Sequence, residues 1–103
     1  SVADVEEAAR AEAGGASYVA VGPIFPTTTK PDAGEPVGLG VITEIKRAVR
    51  IPVVAIGGIA LGNIASVAAA GADAAAVASA VVLAPDMADA VRALKKEFER
   101  GTN

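Results

Sequence analysis

Four residues with the chemistry of an anion site stand together in this sequence, at Thr27, Thr28, Thr29 and Lys30. They follow a short apolar run at 18–21, and prolines lie on both sides of them. Hydroxyl groups can orient an anionic ligand, and a lysine ammonium binds phosphate as a compact charge with three donors. We interpret this loop as one wall of a site for a phosphate-containing substrate. The alternative is an ordinary polar loop facing solvent, and the residues alone do not choose between the two.

Two further stretches of small residues follow the other apolar runs of the chain. Gly57 and Gly58 end one run, and Ala78 and Ser79 end another. Glycine lets a backbone turn sharply on leaving a strand, but it also lets backbone N–H groups approach a phosphate. No Gly-Lys-Ser/Thr sequence follows, so this is not a P-loop. Ser79 could donate to the same phosphate, or it could simply be a small packing residue.

The elements that must position these residues follow from hydrophobic periodicity. The pattern predicts helices at 1–14, 39–49, 63–70 and from 85 onward, and short strands at 17–21, 53–56 and 74–78. Ser1 is expected to cap the first helix. The uniformly apolar strand at 53–56 is expected to be buried on both faces. Asp73 precedes the third strand, at the end opposite the glycines, and we interpret it as a structural loop residue.

The resulting order, α-β-α-β-α-β-α, predicts a parallel sheet built from βαβ units. Three parallel strands could form a small doubly wound sheet or three units of a (β/α)8 barrel, which typically needs about 250 residues. Because every conspicuous loop follows the carboxyl end of a strand, where such barrels bind phosphate, we favour the partial barrel.

Composition narrows the classes of function. The chain of 103 residues is long enough for one small domain, and its net charge of −3 argues against nucleic-acid binding. The sequence contains no Cys and no His, which excludes thiol catalysis, a Ser-His triad and the usual zinc sites. We expect no membrane span or signal peptide, and we expect a cytoplasmic protein. The chain starts without an initiator Met, which we interpret as a segment of a longer protein.

Several of these stretches together resemble the C-terminal half of the thiamine phosphate synthase family. They are the residues at 22–30, 38–39, 51–59, 70–73 and 79–80. The resemblance implies that 1–103 is the C-terminal portion of a single TIM-barrel domain. It also implies a transferase of thiamine biosynthesis that joins hydroxymethylpyrimidine diphosphate to thiazole phosphate, releases diphosphate and uses magnesium.

The same resemblance implies roles for individual residues. Thr27, Thr28 and Thr29 would contact the thiazole phosphate, and Lys30 would contact the pyrimidine diphosphate as the catalytic cation. Thiazole phosphate would also be held by residues at the later strand ends, namely Gly58, Ala78 and Ser79. Diphosphate would leave first, and the thiazole nitrogen would capture the pyrimidine cation.

One departure from the family limits what this chain can do. The magnesium-binding aspartates and a Gln-x-Arg-x-Lys segment belong to the family's N-terminal half, and this chain has neither, so no metal ligand is assigned here. We therefore expect an inactive chain that needs the missing N-terminal half-barrel, or a half-barrel that associates with itself as a homo-oligomer. A related thiazole tautomerase is the other alternative, but that family uses a histidine.

Overall fold

The computed structural model describes residues 1–26, 35–77 and 84–102. Within these ranges helices and strands alternate along the chain, as the sequence predicts. The elements are α1 (Val5–Ala13), β1 (Val19–Val21), α2 (Gly40–Ala48), β2 (Val53–Ile56), α3 (Ile64–Ala69), β3 (Ala74–Ala76) and α4 (Met87–Gly101). Residues 27–34 and 78–83 fall outside this description, so it does not cover all of the predicted third strand.

The three strands form one parallel sheet in the order β1-β2-β3. Val19 of β1 lies opposite Val53 of β2, and Val54 lies opposite Ala74 of β3. Strands that are neighbours in sequence are therefore neighbours in the sheet. This confirms the prediction of an α/β fold with parallel strands.

The predicted start of the first helix is wrong. Val2 lies beside β1 instead: its N–H donates to the Ala20 carbonyl at 2.7 Å, and its own carbonyl accepts the Gly22 N–H at 3.1 Å. The helix begins at Val5, and the N-cap is Asp4 rather than Ser1.

The cap explains why α1 begins where it does. The Asp4 carboxylate accepts the Glu7 N–H at 2.8 Å, and the Glu7 carboxylate accepts the Ala3 N–H at 2.9 Å. The bond to Asp4 satisfies one of the N–H groups that the first helical turn leaves without a partner, and the bond to Glu7 holds the residue just before the N-cap. Val2 therefore precedes the helix and pairs with β1 as a single parallel bridge.

One face of the sheet packs against the helices. Val19, Val21, Val53 and Ala55 alternate along β1 and β2, and all four are buried in one cluster with apolar residues of the four described helices. The cluster members from the helices are Ala8, Ile42, Ile45, Ile64, Val67 and Leu94.

The other face of the sheet is more open. Ala20, Val54 and Ile56 are only half-buried, and Ala74 and Ala76 are exposed. The prediction that the strand at 53–56 is buried on both faces is therefore wrong for the described part of the chain, because helices cover only one face.

Side chains of α1 and α2 make hydrogen bonds near the amino ends of the strands, one to the segment before β2 and one to the end of α3. The Glu12 carboxylate at the end of α1 accepts the Arg50 and Ile51 N–H groups at 2.6 and 3.3 Å. The Thr43 hydroxyl of α2 donates to the Ala70 carbonyl at 2.7 Å. These contacts fix the end of the sheet opposite the predicted site. None of the helices in the described ranges is long and apolar enough to cross a membrane.

Candidate functional site

Of the predicted site residues, Gly58 is the one that the structure describes. The others lie outside the described residues: Thr27, Thr28, Thr29, Lys30, Ala78 and Ser79. What the structure adds is the backbone that leads to them, at the carboxyl ends of the three strands.

The backbone after β1 continues along the end of β2. The Ile24 N–H donates to the Ile56 carbonyl at 2.9 Å, and the Phe25 N–H donates to the Gly57 carbonyl at 3.1 Å. The Gly22-Pro23 peptide bond that begins this segment is cis. Residues immediately before the Thr-Thr-Thr-Lys stretch are thus held directly beside the two glycines.

The chain that follows the Thr-Thr-Thr-Lys stretch returns to the same place. The Val37 N–H donates to the Pro23 carbonyl at 2.8 Å, and the Gly38 N–H donates to the Ile24 carbonyl at 3.0 Å. Both described ends of the segment are therefore anchored to one another at the carboxyl end of β1. This anchoring fixes where the segment that carries Lys30 leaves and rejoins the sheet.

The two glycines after β2 have a clear structural role. Gly57 and Gly58 have φ values of +98° and +68°, in the region that favours glycine. A Cβ on Gly57 would lie 2.5 Å from the Pro23 Cα, and one on Gly58 would lie 2.5 Å from the Pro26 carbonyl oxygen. Glycine is required here both for the turn and for the close approach of the two loops. The prediction that Gly58 also contacts a phosphate stays a prediction.

Sequence reasoning missed Asn63, which holds this turn in place. Its Oδ1 accepts the Ala60 N–H at 2.8 Å, and its Nδ2 donates to the Gly58 carbonyl at 3.1 Å. In the sequence, Asn63 stands just before a helical pattern, and an Asn at such a position ordinarily indicates an N-cap. That signal marks the position but does not reveal the contact with Gly58.

Asp73 lies at the other end of the sheet, just before β3. One of its carboxylate oxygens, Oδ2, accepts hydrogen bonds from Lys46 Nζ at 2.7 Å and from the Val53 N–H at 2.8 Å. It thus joins α2, β2 and the start of β3, which agrees with its interpretation as a structural residue.

The described residues do not fit a magnesium site. Within 1–26, 35–77 and 84–102, no group of three or more acidic side chains could hold a metal ion. The carboxylates of Glu12 and Asp73 already accept backbone N–H groups, which leaves them poorly placed as ligands. No chemical step is therefore assigned to a metal held by these residues.

An open apolar groove of about 410 Å³ lies along β3 and α4, and none of its lining residues belongs to the glycine turn. Its apolar lining comes mainly from Ile64, Ala75, Val77, Val91, Leu94 and Phe98. The exposed fraction of Val91 is 50%, and that of Met87, one turn earlier in α4, is 56%. A contiguous apolar surface, unlike a single exposed apolar side chain, commonly marks a place where another segment packs.

Comparison with known proteins gives consistent matches. A family model described as "Thiamine monophosphate synthase" matches residues 1–81. The thiamine-phosphate synthases of Methanospirillum hungatei and Roseiflexus castenholzii are 58% and 57% identical to this chain, over 89% and 91% of its length. The matched regions make up 45% and 41% of those two proteins, so the chain spans less than half their length.

The fold has the same counterpart among solved structures. Thiamine phosphate pyrophosphorylase from Pyrococcus furiosus superposes with a TM-score of 0.88 at 42% identity. The alignment covers 99% of this chain and 48% of that one. The comparison of sequences and the comparison of backbones therefore indicate the same family.

Proposed function

We propose that this chain, which belongs to the thiamine phosphate synthase family, forms the thiazole-phosphate-binding part of an enzyme of thiamine biosynthesis. The reaction would join hydroxymethylpyrimidine diphosphate to thiazole phosphate and release diphosphate, which makes the enzyme a transferase. The observation that carries this proposal is the packing of Gly57 and Gly58 against 23–26, at the carboxyl ends of two adjacent parallel strands. Phosphate sites of α/β barrels are built at this end of the strands.

We further propose that 1–103 is the C-terminal portion of one TIM-barrel domain. Three observations support a partial barrel over a doubly wound sheet. The strands follow one another in sequence order, and Val2 extends the parallel arrangement on the far side of β1. Helix residues are buried with one face of the sheet, while Ala74 and Ala76 on the opposite face are exposed. A barrel has this arrangement, with helices outside and strand side chains filling the interior.

In the proposed reaction the C–O bond between the pyrimidine methylene and the diphosphate breaks first. The bonding electron pair leaves on the diphosphate oxygen, and the ring nitrogen of the thiazole then donates a pair to form the new C–N bond. Lys30 would offset the negative charge that grows on the leaving diphosphate. Thr27, Thr28 and Thr29, with Gly58, Ala78 and Ser79, would bind the thiazole phosphate.

Magnesium would be held by residues outside this chain. The described residues do not form such a site, and the relatives are more than twice as long as the matched region. We propose that the N-terminal half-barrel supplies the metal ligands and most of the diphosphate site, and that the isolated chain has no turnover. The complete enzyme would act in the cytoplasm on small-molecule substrates, without nucleic acid or membrane partners.

The apolar groove along β3 and α4 supports the proposal that another protein segment packs at this position. β3 is the last strand of the described sheet, so one of its edges has no strand beside it in the described ranges. In a closed barrel the N-terminal half would cover both this edge and the groove. In its absence, the same surface favours self-association of the chain.

Complementation tests the proposed function. The chain would be mixed with the separately produced N-terminal half of the Methanospirillum hungatei relative, both substrates and Mg²⁺, and product formation would be followed. We expect product only when both halves are present, and none after chelation of the metal. Absence of activity from two halves that fold and bind each other would contradict the proposal.

A further inference from the structure

We infer that Asn63 is a positioning residue for the phosphate-binding turn at 57–60. The inference rests on the proposed function, because it assigns Asn63 a role toward the thiazole phosphate that Gly58 is proposed to bind. Asn63 does not touch the substrate in this view. It acts through the Gly58 carbonyl, which its side-chain amide holds.

The geometry shows that the Asn63 side chain serves the turn rather than the helix. Asn63 is at the N-cap position of α3, but its side chain makes no capping hydrogen bond to that helix. Both polar ends of the amide are used upstream: Oδ1 accepts the Ala60 N–H, and Nδ2 donates to the Gly58 carbonyl. An ordinary N-cap would direct its oxygen to the first helical turn.

Holding the Gly58 carbonyl fixes the direction of a neighbouring donor. The peptide unit is planar and trans, so the Ile59 N–H points away from the Gly58 carbonyl and therefore away from Asn63. Ile59 is anchored by its side chain, which is 5% exposed within the core. Neither the Gly58 nor the Ile59 N–H donates to another residue in the described ranges. These two N–H groups are therefore donors that the turn can offer to phosphate oxygens.

The contact also constrains the neighbouring loop. Gly58 packs closely against Phe25 and Pro26, so any displacement of the turn would move against the segment that leads to Lys30. Asn is suited to this position because its side chain carries both a donor and an acceptor. Asp has no donor for the Gly58 carbonyl, and Ser is too short to span from the helix start to both groups.

The experiment is a titration of the full 103-residue chain with thiazole phosphate, followed by amide chemical shifts. Asn63→Ala removes both contacts. Asn63→Ser also removes them but retains a good N-cap residue without adding charge, which limits any loss of helix stability. Thr43→Ala is the matched control, because it deletes one side-chain hydrogen bond to a backbone carbonyl, that of the α3 C-cap residue Ala70, near the opposite end of the sheet.

We expect both Asn63 variants to bind thiazole phosphate about 5- to 10-fold more weakly than the wild-type chain, the effect of losing one or two hydrogen bonds. The Ile59 amide signal should also shift in the free Asn63 variants. Thr43→Ala should bind within about 2-fold of wild type despite a comparable loss of stability.

The outcomes separate this inference from the proposed function. Wild-type affinity in a folded Asn63→Ser chain would overturn the role of Asn63 and leave the proposed function intact. Equal weakening in Thr43→Ala would also overturn it, because general stability would then explain the effect. Absence of binding by the wild-type chain at millimolar ligand would overturn the proposed substrate site and this inference with it.

Discussion

Lys46 and Asp73 form an ion pair of 2.7 Å that joins α2 to the residue before β3. The same carboxylate oxygen accepts the Val53 N–H, so one side chain connects a helix and two strands. Partial burial of Asp73 would by itself raise its pKa. The hydrogen bonds from Lys46 and Val53 and the charge of Lys46 outweigh that effect and hold the pKa of Asp73 below its ordinary value of 3.8.

Asp73→Asn should lower the free energy of unfolding by about 1 kcal/mol at pH 7, since both side chains are about 40% exposed and solvent screens the pair. A carboxylate with a lowered folded-state pKa stabilises fully above its unfolded pKa, and the effect is lost as pH falls through the folded value. The difference between variant and wild type should therefore persist from pH 7 to 5 and shrink below about pH 4. Urea unfolding at pH 7, 5 and 3 measures it.

Asp89→Asn is the control for that measurement, because Asp89 is 75% exposed and lies 3.5 Å from Arg92 on one helix. Its effect should stay within about 0.5 kcal/mol at every pH. A pH-independent loss in Asp73→Asn would show that the Asp73 carboxylate contributes through its shape rather than its charge.

Gly58→Ala should destabilise the chain by about 2–4 kcal/mol, the combined cost of a left-handed backbone and an overlap that must be relieved. The added Cβ would lie 2.5 Å from the Pro26 carbonyl oxygen and 2.8 Å from the Phe25 Cβ. Gly62→Ala is the matched control, since its Cβ would have no neighbour within 4 Å. Thermal unfolding of the two variants measures the difference, and equal melting temperatures would contradict the close packing of the two loops.

The arrangement of strands and helices could be predicted from sequence because periodicity and turn residues determine it. The apolar run at 53–56 and the stop at Gly57 predict β2 with the bounds that the structure has. The start of α1 was mispredicted because Val2 fits a helical stripe as well as an extended edge. The contact of Val2 with β1 is non-local, and no local pattern encodes it.

The site could be predicted in part. A polar loop and a Gly-Gly turn after successive strands predict that both lie at one end of a parallel sheet. Sequence could not show that Gly58 packs against Pro26, or that Asn63 reaches back to the Gly58 carbonyl instead of capping α3. These contacts depend on how the loops fold onto one another.

Gly101→Ala should weaken the packing of α4 on α3. A Cβ at Gly101 would overlap the Ala65 carbonyl, so the last turn of α4 must shift away. We expect a loss of about 1–3 kcal/mol in the free energy of unfolding. Gly40→Ala is the comparison, because Gly40 also lies in a helix but has open space around it and should be neutral or stabilising. Equal effects of the two substitutions would contradict the close approach of α3 and α4.

Lys30→Ala should reduce kcat of the complemented halves by about 100-fold or more, the range found for removing a group that stabilises transition-state charge. The proposed basis is loss of the cation that faces the leaving diphosphate. Steady-state kinetics with saturating Mg²⁺ measures the change. Lys96→Ala removes an exposed lysine of α4 and should leave kcat unchanged. A Lys30 variant with wild-type kcat would remove this residue from the proposed mechanism.

Val91→Asp should weaken association through the groove along β3 and α4. Val91 is 50% exposed on the groove wall, and covering it would remove apolar surface from water. We expect the wild-type chain to sediment as an associated species, and the variant to associate about 10- to 100-fold more weakly, as the burial of a Val side chain implies.

Lys96→Gln is the control for this measurement. It changes net charge by the same amount on the same helix outside the groove, and it should not alter sedimentation. Adding the N-terminal half should reduce self-association of the wild-type chain, because both would use the same groove. The same addition should not cause the Val91→Asp chain to associate. A compact wild-type monomer that unfolds cooperatively would contradict the prediction, because it would show that the groove is stable when open to water.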